Sequence, residues 1–139
     1  MLPLETLEKL EYIAHTFNPF TICEKLGIDI EYTDIHNPLG NTIYLHSRPI
    51  IMLSDDIKES NQRYFICAHE LSHVTLHNGI QGYYTLNHKT KGSMECQADK
   101  LAFMLCTNLF IEDNGCVPNS FSDLQHAYGV PTELENALF

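Results

Sequence analysis

Basic residues are scarce in this 139-residue chain. Eight Lys and Arg stand against 18 Asp and Glu, for a formal charge of −10 with the histidines neutral. A phosphate backbone is bound by clusters of Lys and Arg, so this balance argues against direct recognition of nucleic acid. No stretch approaches the roughly 18 apolar residues needed to span a bilayer. The start, Met1-Leu2-Pro3-Leu4-Glu5-Thr6, has neither the basic nor the apolar part of a secretory leader. No pair among Cys23, Cys67, Cys96, Cys106 and Cys116 has CxxC spacing, and their number is odd. Reduced structural thiols and a cytoplasmic location are therefore expected. Repeats and low-complexity tracts are lacking too. What is present is 44% hydrophobic content. A chain near this length buries roughly 68–70% of its unfolded surface, which suits one domain over residues 1–139.

Apolar spacing divides the chain into elements. Leu4, Leu7, Leu10, Ile13, Ala14 and Phe17 recur at helical intervals, with Pro3 suited to the start and Asn18-Pro19 to the break. Phe20 to Leu26 reads as a second helix closed by Gly27. Ile28 to Tyr32 alternates as a half-buried strand, and residues 36–41 carry turn chemistry. Thr42 to His46 and Ile50 to Leu53 read as further strands, separated by a break at Arg48-Pro49. Short turns between them predict an antiparallel three-stranded sheet, since sequential strands usually pair. A long helix is expected from Ser60 or Asn61 to His77, ended by Asn78-Gly79. Residues 80–92 read as a loop. A second long helix follows from Ser93, as N-cap, to Leu109. Glu112 to Gly115 reads as a loop, Phe121 to Tyr128 as a helix, and a last helix carries Leu134 and Leu138.

Inside the first long helix lies His69-Glu70-Leu71-Ser72-His73, an HExxH pattern. Residues four apart sit about 40° apart on a helix, so His69 and His73 face one way and can share a zinc ion at roughly 2.0–2.1 Å each. Glu70, on the flank of that pair, is placed to act as general base toward the attacking water. A catalytic zinc needs a third protein ligand and one open position. Glu95 is the best supplier, because Ala98 and Ala102 would let its helix approach the first closely. Asp99, one turn on, would accept the outer N–H of a ligating histidine. His77 continues the stripe but lies about 12 Å along the axis from His69, too far to share the ion, and reads as a partly charged helix C-terminal cap. Cys67 and Cys96 read as core thiols. Tyr83, Tyr84 or His88 could supply an oxyanion donor.

The segment Gln62 to His77, QRYFICAHELSHVTLH, resembles the "rFtlAHElGHllLH" motif of ImmA/IrrE-type metallopeptidases. Glu95 to Ala102 is similar to that family's later motif, roughly "ExEANxFAxxLLMP", and Leu124 to Pro131 to its closing helix-turn. The resemblance covers about residues 40–139. Ser72 stands for the usual glycine, Gln97 for the second acid, Leu101 for Phe, and Thr107-Asn108 for Met-Pro.

The resemblance implies a gluzincin-like minimal metallopeptidase domain of the α+β class, with a small sheet packed on helices and short C-terminal helices. It implies a cytoplasmic zinc endopeptidase that cuts a helix-turn-helix repressor and so relieves repression, as members from phages and mobile elements do. The residues alone leave two rivals. One is a non-catalytic antirepressor that captures its partner and uses the metal structurally. The other is a DNA-binding protein using the terminal helices, which the acidic charge opposes.

Overall fold

The computed structural model describes residues 2–77 and 88–138. Helix α1 (Pro3–Ala14) buries Leu7, Leu10 and Ala14. It stops three residues before Phe17 because His15 turns left-handed, φ 57°. The Glu112 carboxylate then takes hydrogen bonds from the Thr16 hydroxyl, 2.6 Å, and the Phe17 N–H, 2.9 Å. These bonds satisfy the link outside any helix. Helix α2 (Pro19–Leu26) is capped by the Asn18 side chain, which accepts from the Phe20 N–H, and closes at Gly27, φ 73°.

Strands β1 (Asp29–Thr33), β2 (Gly40–Leu45) and β3 (Arg48–Ser54) form a mixed sheet in the order β1-β3-β2. The expected antiparallel sheet is therefore corrected: β2 pairs antiparallel with β3, but β1 pairs with β3 in parallel. The reason is burial. Ile51 and Leu53 of β3 are wholly inaccessible, so the most apolar strand takes the centre and β1 and β2 flank it. Arg48-Pro49 begins β3 and does not break the chain; the turn is His46-Ser47, both at positive φ, 52° and 68°. Two left-handed residues match the twist of a tight hairpin. Residues 34–39 carry the chain across from β1 to the far side of β3, where β2 is an outer strand of the sheet among the described residues.

A 3-10 turn (Asp55–Ile57) leads to α3 (Gln62–Leu76), which packs along α4 (His88–Asn114) and across β2 and β3. Helix α4 outruns its expected span at both ends. Ser93 lies inside it and not at its N-cap, and Glu112 to Asn114 are helical until Gly115 turns at φ 74°. Within it the Thr107 and Asn108 side chains bond back to the carbonyls of Phe103 and Met104. Ala68, Ala98 and Ala102 are fully buried where α3 meets α4, and Leu71, Leu101 and Leu105 complete that core. Fully burying one such leucine contributes about 1.5–3 kcal/mol.

Helix α5 (Phe121–Tyr128) ends at Gly129, where a Cβ would come within 2.5 Å of Gln62 Cα, so glycine there lets the turn seat on the start of α3. A second 3-10 turn (Thr132–Leu134) and α6 (Glu135–Leu138) follow. Cys23, Cys67 and Cys106 are buried thiols, whereas Cys96 is exposed, which corrects its reading as a core residue. Among the described residues no helix is long and apolar enough to cross a membrane.

Candidate metal centre

The helical repeat brings His69 and His73 to one face of α3, with their Nε2 atoms 3.2 Å apart. Across from them α4 presents Glu95. Its Oε2 lies 3.0 Å from His69 Nε2 and its Oε1 3.1 Å from His73 Nε2. One ligand atom from each of the three residues falls within 4.8 Å of the others. A tetrahedral ion with ligands at about 2.0–2.1 Å has ligand atoms about 3.3 Å apart along each edge. The observed spacings lie close to that value, and two imidazoles with a carboxylate are a donor set that zinc accepts. The residues present therefore fit a metal cofactor.

Charge supports the same reading. His69 is mostly buried, which by itself lowers its pKa, but the carboxylates of Asp99, Glu95 and Glu70 outweigh burial and hold it up at about 10. In the metal-free chain a proton thus occupies a place that three acids would offer to a cation. Asp99 Oδ1 lies 2.9 Å from the outer nitrogen of His69, Nδ1, on the side expected for it. That nitrogen is sealed from solvent, and the approach is close without the alignment of a good hydrogen bond. We count it as an ion-pair contact. Glu70 is 8% exposed, and its Oε1 accepts a hydrogen bond of 2.7 Å from the Thr42 hydroxyl of β2.

Two participants have roles that spacing did not predict. Thr42 is one; a threonine in a half-buried strand carries no signal that it will meet a helix carboxylate. The other is the neutral chain behind His73. His77 Nδ1 lies 3.0 Å from His73 Nδ1, and His77 Nε2 lies 3.2 Å from Gln97 Oε1. His77 does occupy the C-cap position of α3, but its ring is buried, and burial lowers its pKa. This corrects its reading as a partly charged cap. Ser72, standing where glycine is usual, satisfies its hydroxyl on the Ala68 carbonyl, 2.7 Å away. Tyr83 and Tyr84 lie outside the described residues, as do Asn78-Gly79 and the side chain of His88.

The centre opens into a cavity of about 440 Å³. His69, Glu70 and His73 line it together with Thr42 and Tyr44 of β2, and Leu39, Ile66 and Met94 make part of the wall apolar. Gly40 lets β2 come this close, since a Cβ there would meet Ile66 Cγ2 at 2.5 Å and Glu70 Cγ at 3.3 Å. The edge strand of the sheet thus runs beside the buried carboxylate.

A search of curated proteins found no match to the chain. The model of the IrrE N-terminal-like domain family, Peptidase_M78, matches residues 23–137, a span that takes in the HExxH helix, Glu95 and the edge strand. With that match over most of its length, the chain belongs to the IrrE N-terminal-like, peptidase-type family.

Proposed function

We propose that the protein is a zinc-dependent endopeptidase in which His69, His73 and Glu95 hold the ion and Glu70 is the catalytic base. The observation that carries this reading is the meeting of three ligand atoms beside a buried glutamate, under an edge strand. When bound, zinc supplies Lewis acidity toward the scissile carbonyl and brings a water's pKa down toward ~7. Glu70 takes the proton of the attacking water and passes it to the leaving amine. The Thr42 hydroxyl occupies Glu70 Oε1 and leaves Oε2 for that transfer. An extended substrate lies along β2 and across Glu70, held in the manner of an added strand. Asp99 orients His69 from behind.

The substrate we favour is a helix-turn-helix repressor in the cytoplasm. Such a protein presents a basic face to DNA, and a chain of charge −10 attracts it over long range. Five free thiols suit a reducing compartment. The test is Glu70→Gln, incubated with zinc and a helix-turn-helix repressor that the wild-type protein cleaves. We expect zinc to be retained and cleavage to be lost. If the variant still relieves repression undiminished, capture without cutting replaces the peptidase reading.

A further inference from the structure

We propose that His77 and Gln97 form a positioning chain that sets the tautomer of His73 and so presents its Nε2 lone pair to the cation. The inference rests on the metal-centre reading above. It starts from two contacts in series, Gln97 Oε1 to His77 Nε2 at 3.2 Å and His77 Nδ1 to His73 Nδ1 at 3.0 Å. A neutral imidazole carries one N–H and one acceptor nitrogen. The amide oxygen of Gln97 can only accept, so His77 donates from Nε2. His77 Nδ1 must then accept, and His73 must donate from Nδ1. The remaining nitrogen of His73 is left unprotonated, and it is the one aimed at His69 Nε2 and Glu95 Oε1.

Turning the Gln97 amide over reverses every link. The amide N–H₂ would donate to His77 Nε2, His77 Nδ1–H would donate to His73, and the proton of His73 would sit on Nε2 between the ligand atoms. Only one of the two directions is compatible with a cation. A hydrogen bond from the outer N–H of a ligating histidine also raises the basicity of the nitrogen that binds metal. The two ligand histidines are thus backed differently: Asp99 stands directly behind His69, while His73 reaches an acceptor through a second ring. His77 itself is buried, which limits the access of competing water to its link with His73.

Gln97 is exposed on α4, so it can be replaced without opening the core. The experiment combines two measurements on the full chain. Long-range proton–nitrogen spectra of histidine-labelled protein, metal-free and zinc-loaded, read which ring nitrogen carries the proton. We expect Nε2–H on His77 and Nδ1–H on His73. Chelator competition then compares zinc affinity among variants. Gln97→Met removes the acceptor and should weaken binding about 10–100-fold, whereas Gln97→Glu, which can only accept, should retain it. A proton on Nδ1 of His77, or wild-type affinity in Gln97→Met, overturns the proposal. Wild-type protein that takes up no zinc would instead sink the metal reading, and the tautomers of the metal-free chain would still decide the hydrogen-bond direction.

Discussion

His69 and His73 sit one turn apart on the same helix and are equally shielded, with 16% and 15% of their side chains exposed. Their surroundings nevertheless differ. His69 is backed by the Asp99 carboxylate, His73 by the neutral pair His77 and Gln97. Burial therefore does not distinguish them; the groups behind each ring do, a carboxylate of α4 for His69 and the end of α3 for His73. Two copies of one ligand type can be tuned separately when different elements supply the partner behind each.

The largest effect should come from removing either ring. His69→Ala or His73→Ala leaves two ligands, and stoichiometric zinc should be lost in equilibrium dialysis; retention by one variant alone would break the pairing of the two. A smaller effect is expected behind His69. Asp99→Asn keeps the size but gives up the charge, and should weaken zinc about 10–100-fold in chelator competition. Ala98→Leu tests the approach of the helices. Overpacking this fully buried position should cost about 1–3 kcal/mol in urea denaturation and lower zinc uptake with it.

A separate effect concerns pH in the metal-free protein. The folded-state pKa of His69, about 10, lies above its ordinary 6.5. Its stabilising contribution is thus complete below pH 6.5 and is lost as pH rises through about 10. Calorimetry of chelator-treated protein should show Tm falling across that window, and falling less in Asp99→Asn. Parallel Tm curves for the two proteins would show that the carboxylate does not hold the proton.

Residues within one helical turn were the most legible part of the centre. The spacing of His69, Glu70 and His73 fixes their relative direction as soon as the segment is helical, because 3.6 residues per turn allows nothing else. Glu95 and Asp99 were legible one step less directly, through their own i, i+4 spacing and the alanines beside them. The strand order was not. Alternation marks a strand but says nothing of its neighbour, and β1 joined β3 because burying Ile51 and Leu53 on both edges outweighs pairing in chain order. The ends of α4 were misjudged for a similar reason. Glu112 to Asn114 look like a loop, yet they stay helical where Glu112 and Asp113 meet Thr16, Phe17 and Tyr128 from distant segments.

The amino-acid order by itself determined that two imidazoles and a carboxylate flank one face of a helix, and that an acid-rich helix follows to meet them. Periodicity is a local property, set by backbone geometry that any stretch of suitable residues obeys. Only the folded chain decided that Glu95 faces both rings, that Thr42 holds Glu70, that β2 runs beside the centre, and that Gln97 stands at the end of the His73–His77 chain. Each of these joins segments at least 20 residues apart. Such contacts follow from which apolar faces pack together, and that is settled by the core as a whole.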